Sequence, residues 1–450
     1  MAIATTSITS KISLRYIFNT WWPLAFSWLL MGIELPGVSA IIARMPNPEI
    51  NLAAYGGVVF PLALIIEAPI IMLLAASTAL SKDWDSYHKI RTFMLVTSTS
   101  LTALHILVAF TPLYYFVVES ILGVPKEIVE PAHIGLQIMT PWTFSIAYRR
   151  FNQGVLIRFG HSRAIGAGTI VRLITLWLIL LTGYTIGNIP GIIVGSAAVA
   201  FGVMSEAIYV SLVVRPVIRG PLQQTQQLDT PLTKRAFLEF YIPLAMTSLL
   251  LLLANPIGSA ALSRMPNALA SLAAWPVVSG LIFMFRSVGM AYNEVVVALL
   301  DEPGSSPNLR KFAYWLAGLT SLGLILITIT PISSLWFDRI SALSPELAEL
   351  AKRGLWFALP LPAINVFQSW YQGVILFGRR TRPITESMVI YLIINSSIQL
   401  FGILWGEITG LFVGVTALTV GILTQTSWLG FRAIPLLRAL RKRDQTLAVI

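Results

Sequence analysis

Long apolar runs, rather than alternating apolar and polar positions, dominate this chain. A bilayer core about 30 Å thick is crossed by about 20 apolar residues in a helix, so each run has the length of a membrane span. The runs predict twelve spans, at residues 20–43, 52–79, 92–118, 132–157, 164–185, 190–214, 238–262, 271–299, 312–336, 349–376, 384–405 and 408–431. We therefore expect an all-α integral membrane protein without a separate soluble domain.

The second half of the chain repeats the first. Trp21-Trp22-Pro23-Leu24-Ala25 recurs 220 positions later as Tyr241-Ile242-Pro243-Leu244-Ala245. At the same offset, Arg44-Met45-Pro46-Asn47 matches Arg264-Met265-Pro266-Asn267. At an offset of 219, Gln153-Gly154-Val155 matches Gln372-Gly373-Val374. This ordered series of matches indicates an internal duplication.

The duplication predicts two lobes of six helices. Residues 1–219 form the N-terminal lobe, 220–237 a polar linker on the cytoplasmic side, and 238–450 the C-terminal lobe. Because six is an even number, both lobes begin on the same side of the membrane. They are then parallel repeats about an axis along the membrane normal. That arrangement favours a central cleft and alternating access by rocking of the lobes.

Composition narrows the possible functions. Charged residues make up 11% of the 450 residues, against about 25% in soluble domains. Cysteine is absent, which excludes disulfides, thiol catalysis and cysteine-ligated metal. The chain carries neither the GxxxxGK[ST] motif that ATP-driven pumps use to bind nucleotide nor the paired-Asp motif of metal-dependent transferases, so neither function is predicted. We predict no enzymatic activity and no cofactor.

The net charge of +11 is explained by its placement. With a cytoplasmic N-terminus and twelve spans, 24 of the 31 Lys and Arg residues lie on or near the cytoplasmic side. This distribution follows the positive-inside rule and needs no nucleic-acid partner. We expect a multi-pass protein of the plasma or inner membrane, with both termini in the cytoplasm.

Several short motifs resemble those of a known transporter superfamily. They are a proline-led first helix and glycine-containing turns after the fourth and tenth spans, together with Leu52-Ala53-Ala54-Tyr55-Gly56, Asn255-Pro256-Ile257 and Trp275-Pro276-Val277. The chain resembles the multidrug/oligosaccharidyl-lipid/polysaccharide (MOP) exporters, whose best-known branch is the multidrug and toxic compound extrusion (MATE) transporters. Within that superfamily it is most similar to the progressive ankylosis protein family.

The resemblance implies a fold and a substrate class. It implies a V-shaped, MATE-like fold and, for the ankylosis branch, export of small anions such as citrate, pyrophosphate or nucleotides. The multidrug branch implies efflux of cations driven by entry of H+ or Na+. In many of its members an Asp lies three residues after a Met-Gly pair in the first helix. Here Met31-Gly32 is followed by Glu34, one residue earlier, which argues against coupling of the multidrug type.

Charged side chains inside the predicted spans are the candidate functional residues. Placing one at the bilayer centre costs about 2.5–3.5 kcal/mol on insertion scales, so such residues usually face a partner or a cavity. Glu67 in the second span and Arg286 in the eighth have nearly equivalent positions in the repeat. An arginine fork suits a carboxylate or phosphate. The pair therefore predicts either an anion site centred on Arg286 or a structural salt bridge between the lobes.

Two prolines mark candidate openings in the first and seventh spans. Glu34 lies near Pro36, and Asn255 precedes Pro256. Proline lacks a backbone donor and clashes with the carbonyl four residues before it, so each helix can open and expose carbonyl groups to a ligand or ion. Glu34 is then either a protonatable coupling group or a neutral, packed side chain.

Four further residues lie near the predicted cytoplasmic side. Asn293 and Glu294 belong either to an inner gate or to the membrane interface. Arg149 and Arg150 either contact an anionic substrate from the cytoplasm or anchor the fourth helix at the interface. Glu206 lies deep in the sixth span.

The leading hypothesis is a secondary transporter that exports a small polar, anionic metabolite by alternating access and works as a monomer. H+ or Na+ would be the coupling ion. A cation-coupled multidrug antiporter and a flippase for lipid-linked precursors remain alternatives. A channel is less suitable, because two rocking lobes fit a transporter better.

Overall fold

The computed structural model describes residues 12–161, 163–225, 231–378 and 382–446. Residues 226–230 of the predicted linker lie outside this part. In the described residues the chain crosses between two ends of the molecule twelve times. The helices are α1 Leu14–Ile42, α2 Pro48–Leu80, α3 Trp84–Phe110, α4 Lys126–Ile138 with Thr140–Arg158, α5 Arg163–Ile186, α6 Gly191–Leu222, α7 Lys234–Leu262, α8 Ala268–Leu299, α9 Ser306–Ile329, α10 Pro345–Leu355 with Leu361–Phe377, α11 Arg382–Trp405 and α12 Gly410–Thr446.

The helical membrane architecture is confirmed. Ten of the described helices are long and apolar enough to cross a membrane. The other two, α4 and α10, are each interrupted, at Met139 and at residues 356–360. Charged residues at the start of α4, together with Arg149 and Arg150, lower its apolar character. The twelve predicted spans correspond to α1–α12, but most of the helices extend beyond the predicted boundaries.

Equivalent hydrogen bonds occur in the two halves of the chain. In the first half, the Asn51 side chain accepts a hydrogen bond from the backbone N–H of Ile192, at 3.2 Å. In the second half, Ser271 Oγ accepts one from the backbone N–H of Leu411, at 3.1 Å. Each bond satisfies a free N–H at the start of a helix. The bonds fasten α6 to α2 and α12 to α8 in the same way.

Helices α2 and α8 are in contact at positions that are equivalent in the two halves of the repeat. A Cβ added to Gly56 would lie 2.6 Å from Cγ of Pro276, its repeat equivalent at an offset of 220. A Cβ on the next residue, Gly57, would lie 2.9 Å from Leu272. A residue that touches its own equivalent must lie close to the axis that relates the two halves. The lobes are therefore in direct contact there.

Two equivalent arginines join the lobes at the end where α1 and α7 finish. Arg44 donates to the carbonyl oxygens of Arg339 and, at 2.8 Å, of Ile340. Arg264 donates to those of Leu122, at 2.7 Å, and Ile121, at 2.6 Å. We call these reciprocal contacts the arginine clasp, and this end of the molecule the clasp end.

At the opposite end, which we call the terminal end, α1 and α7 each pack on the other lobe. Trp21 on α1 donates through its indole N–H to the carbonyl oxygen of Val288, at 3.1 Å. Its repeat equivalent on α7, Tyr241, donates through its hydroxyl to the carbonyl oxygen of Pro69, at 2.5 Å. In the described residues, every hydrogen bond between the lobes at this end involves α1, α7 or residue Ile12 just before α1. The direct contact of α2 with α8 lies toward the clasp end, so the molecule is closed there.

The two proline sites in α1 and α7 differ. In α1 the regular helix stops at Gly32, four residues before Pro36, and resumes at Glu34. In α7 the helix runs without a break through Pro256. The Asn255 side chain donates to the carbonyl oxygen of Leu252, at 3.3 Å, which is the carbonyl that Pro256 cannot satisfy. The regular helix is thus interrupted only at Ile33 near the proline of α1 and is continuous at the proline of α7.

Removing either clasp arginine is expected to open the clasp end. Hydrogen bonds to a charged group contribute about 1.5–3 kcal/mol, and partial exposure of both guanidinium groups reduces this to about 1 kcal/mol. Arg44→Ala or Arg264→Ala should then shift the ratio of closed to open molecules roughly fivefold. Since the chain has no native cysteine, spin labels at Glu49→Cys and Glu346→Cys can report the separation of the lobes by double electron–electron resonance.

Arg339→Ala provides the matched control for the clasp experiment. Its exposed side chain lies at the same end, but only its backbone carbonyl takes part in the clasp. The control should leave the distance distribution unchanged. An equal shift in the control, or no shift in the Arg44 and Arg264 variants, would contradict the role of the clasp.

Candidate functional site

A buried ionic cluster occupies the interior of the N-terminal lobe. Glu206 on α6 is fully buried and accepts hydrogen bonds from Arg149 and, at 2.9 Å, from Gln153 Nε2. Gly168 on α5 makes room for it, because a Cβ there would lie 3.3 Å from Glu206 Cγ. Three helices therefore converge on one carboxylate.

Arg172 on α5 links this carboxylate to the break in α1. Its Nε lies 3.6 Å from Glu206 Oε2, and its Nη2 lies 3.0 Å from Glu34 Oε2. Arg172 is 8% exposed, so both ion pairs are largely shielded from solvent. Glu34 is the first residue after the interruption of α1. A change in the charge of Glu34 would therefore reach α5 and α6 through a single guanidinium group.

Glu67 and Arg150 complete the cluster without a direct ion pair between them. Glu67 on α2 is 4% exposed, and its Oε2 has no hydrogen-bond partner among the described residues. Its charge interacts with Arg150 and Arg149. The Nε atom of Arg150 is also buried without a partner. The cluster thus contains three carboxylates and three guanidinium groups, which formally balance.

The equivalent positions of the C-terminal lobe are polar but uncharged. At an offset of 219, Gln425 replaces Glu206, Gln368 replaces Arg149 and Tyr391 replaces Arg172. Asn365 Nδ2 donates to Gln368 Oε1, at 3.2 Å, and Asn365 Oδ1 has no partner in the described structure. This lobe therefore offers amide and hydroxyl groups where the other lobe holds ion pairs.

Arg286 on α8 brings a charge into this neutral environment. Its side chain is half-buried, and its Nε lacks a hydrogen-bond partner among the described residues. The charge of Arg286 interacts with Tyr391 on α11. The neighbouring residues Met284 and Ser287 lie against Gly32 of α1 instead. Arg286 therefore interacts with a residue of its own lobe.

The structure does not bring Glu67 and Arg286 together as a salt bridge. Among the described residues Glu67 interacts with Arg150 and Arg149 on α4, whereas Arg286 interacts with Tyr391 on α11. The salt-bridge alternative was wrong for this conformation. Equivalent positions in the repeat do not fix the direction of a side chain around its helix.

The remaining candidates are placed as follows. Arg149 is not an interfacial anchor, because it is buried and bonded to Glu206. Asn255 bonds to its own helix. Glu294 is exposed at the first turn after a break in α8 at Ala291, and the adjacent Asn293 has a buried Oδ1 atom without a partner in the described residues.

Arg172 was missed by the sequence analysis, and the role of Glu206 was not recognised. Both lie well inside predicted spans. Arg172 is nine residues from the start of α5, which by length alone places it near the middle of the membrane. Its replacement by Tyr391 in the repeat was the signal that could have identified it. Among the described residues, no group of three His, Asp or Glu side chains could hold a metal ion.

No protein-family model and no curated protein matches the chain. Solved structures share its fold. An inward-facing structure of a multidrug resistance MATE family transporter of the MOP superfamily superposes with a TM-score of 0.70 at 14% identity, covering 93% of this chain and 99% of that chain. An outward-facing structure of a multidrug resistance MATE family transporter superposes with a TM-score of 0.59 at 15% identity, covering 98% of this chain and 100% of that chain.

The lipid II flippase MurJ, in an inward closed conformation, superposes with a TM-score of 0.63 at 15% identity, covering 93% of this chain and 89% of that chain. Identities this low establish the fold alone. The chain thus has the fold of MATE and MOP-superfamily transporters, as the resemblance implied. Membership of the progressive ankylosis branch stays a prediction.

Glu206→Gln should strongly destabilise the N-terminal lobe. Removing one partner of a buried ion pair costs about 3–5 kcal/mol, because the other charge is left uncompensated. Thermal unfolding in detergent should show the loss as a lower transition temperature. The double variant Arg149→Gln with Glu206→Gln, which copies Gln368 and Gln425 of the other lobe, should recover part of it. Gln425→Leu is the control and should cost less. Equal losses at both positions would contradict an ionic role for Glu206.

Proposed function

We propose that this protein is a secondary transporter that exports a small polar anion of the citrate, pyrophosphate or nucleotide type. Arg286 carries the argument, because it is a half-buried cation at membrane depth without an ion-pair partner in the described structure. Such a residue usually serves a substrate or ion pathway. Asn365, whose Oδ1 would lie 3.1 Å from a Cβ on Gly289 of the same helix as Arg286, would add a hydrogen-bond donor without a competing carboxylate.

Two-pronged recognition explains why an arginine suits this role. A guanidinium group presents parallel N–H donors that match the oxygens of a carboxylate or phosphate. Asn365 and Asn293 on the same side of the lobe would contribute further polar contacts, and Glu294 would lie at the exit toward the terminal end. The N-terminal cluster, including Arg149 and Arg150, balances its own charges and is less suited to bind an anion.

The charge distribution assigns an orientation to this conformation. Under the positive-inside rule, the terminal end is cytoplasmic, in a plasma or inner membrane. The clasp end then faces outward, and the contact of α2 with α8 closes the pathway on that side. We infer an inward-facing state, which agrees with the higher TM-score to the inward-facing transporter. The anion would bind from the cytoplasm, the clasp would open, and the anion would be released outside. A single chain would carry out all of these steps.

Coupling to H+ or Na+ would use Glu34. Its ion pair with Arg172 joins the break in α1 to Glu206. Neutralising Glu34 would free Arg172 to bind Glu206 alone and would release the second part of α1. The same arrangement supports the runner-up, a cation-coupled multidrug antiporter, in which Glu34 is the coupling group. A flippase for lipid-linked precursors is a further alternative, compatible with the fold.

Arg286→Ala is expected to abolish anion export while leaving membrane insertion intact. Arg286→Lys should retain only part of the activity, since an ammonium group cannot bind two oxygens in the fork geometry. The measurement compares metabolites released into the medium by expressing and empty-vector cells, with efflux of a cationic dye in parallel. Ser287→Ala is the control, because Ser287 bonds only to its own helix. Normal anion export by the Ala variant would remove Arg286 from the site, and dye efflux without anion release would favour the antiporter.

Glu34→Gln should uncouple transport from the ion gradient. In proteoliposomes we expect export to stop responding to an imposed pH or Na+ gradient, while exchange down the substrate gradient continues. Glu239→Gln, an exposed carboxylate paired with Arg235, is the control and should behave as the unmodified protein. A full response to both gradients in the Glu34 variant would exclude Glu34 as the coupling group.

A further inference from the structure

A continuous groove runs along the outside of the C-terminal lobe, between α9, α10 and α12. Its polar part, about 500 Å³ in volume, is lined by Arg310, Tyr314, Arg441 and Asp444 among others. Its apolar part, about 460 Å³, is lined by Ile364, Leu423, Phe431 and Ile434 among others. Phe367, Tyr371 and Leu437 line both parts. The two cavities therefore form one groove that is polar at one end and apolar along its length.

The groove lies apart from the transport pathway proposed above. All of its lining residues belong to α9, α10 or α12, and none to α1, α2, α7 or α8. Phe431 and Tyr314 are about two-thirds exposed, as expected of side chains that face lipid. This surface is on the periphery of the lobe.

The polar end lies at the terminal end of the lobe. The backbone N–H of Gly304, in the turn between α8 and α9, donates to Asp444 Oδ1 at 3.0 Å. Arg443 donates to the carbonyl oxygen of Leu300, at 2.9 Å. These bonds hold the last turns of α12, beyond Pro435, against the turn between α8 and α9. From Leu423 to Arg441 the helix extends over about 27 Å, enough for one lipid of a leaflet, about 20–22 Å long including its headgroup.

The charges at the polar end have two signs. Arg310 and Arg441 are exposed, and neither has an ion-pair partner in the described part of the chain. Asp444 is 9% exposed; its Oδ1 is paired with Arg443 Nε at 2.9 Å, while its Oδ2 has no hydrogen-bond partner among the described residues. A headgroup that carries both a phosphate and an N–H donor matches this pattern. A phosphate alone would leave the Asp444 oxygen unsatisfied.

We propose that the groove binds phosphatidylethanolamine from the cytoplasmic leaflet. Its phosphate lies between Arg310 and Arg441, and its ammonium group donates to Asp444 Oδ2. One acyl chain follows the apolar part past Tyr371 and Ile434. Phosphatidylcholine has no N–H donor and phosphatidylglycerol no cation, so both fit the polar end less well.

Native mass spectrometry of the full chain, released from vesicles with equal amounts of the three lipids, tests this site. The unmodified protein should retain phosphatidylethanolamine in preference to the other two. Arg310→Ala with Arg441→Ala should lower that retention at least tenfold. Arg438→Ala removes an exposed charge from the same segment of α12 outside the groove, and should leave retention unchanged.

Two further variants separate the headgroup from the acyl chain. Asp444→Asn keeps an oxygen for Gly304 and should abolish the preference for phosphatidylethanolamine over phosphatidylcholine. Ile434→Trp fills the apolar part and should lower retention of all three lipids, without touching the charged end. Undiminished retention in the double arginine variant, an equal loss in the Arg438 control, or equal retention of the three lipids by the unmodified protein would overturn the proposal.

Discussion

The contact between Gly56 on α2 and Pro276 on α8 is the constraint on which the arrangement of the lobes depends. Any side chain at position 56 would collide with a rigid proline ring. Because the two residues are repeat equivalents, the contact fixes where the axis between the lobes runs. The arginine clasp lies beyond it toward one end, and the exchanged halves of α1 and α7 lie toward the other. The clasp and the contacts of α1 and α7 each occur twice, so each lobe holds its partner in the way that it is held.

Although the two lobes have the same helical framework, their interiors differ in charge. The N-terminal lobe contains Glu206 with Arg149 and Arg172, while the C-terminal lobe contains Gln425, Gln368 and Tyr391 at the same positions. Burying ion pairs is costly unless the geometry satisfies them, and here three helices converge to do so. A neutral interior costs less and leaves Arg286 available for a ligand. The division of chemistry between the lobes thus follows from a few substitutions on a common frame.

Most of the fold was predictable because its signals are periodic and repeated. Apolar runs gave the spans, and matches such as Arg44 with Arg264 gave the duplication. The site was predictable only in part. Sequence gives the positions of Glu67 and Arg286 along α2 and α8 but not their rotation about these helices, so it left open whether the two residues pair, and the described structure has no ion pair between them. Arg172 was counted with the cytoplasmic charges, since nothing local shows that α5 directs it toward Glu34. Asn255 and Glu34 both lie close to prolines, yet a single hydrogen bond to Leu252 keeps one helix intact.

The imbalance of charge between the lobes has an electrical consequence. The N-terminal cluster is formally neutral, whereas Arg286 leaves the C-terminal interior with one positive charge. Moving a unit charge across a potential of 100 mV changes the free energy by about 2.3 kcal/mol, and in the proposed transport cycle the rocking of the lobes would carry Arg286 through a fraction of that field. With an anion of the proposed type bound, which carries more than one negative charge, the moving unit is net negative and the same potential favours its movement outward. Empty, it is cationic, so an inside-negative membrane draws it back toward the cytoplasm. The resting potential would then reset the transporter after each release.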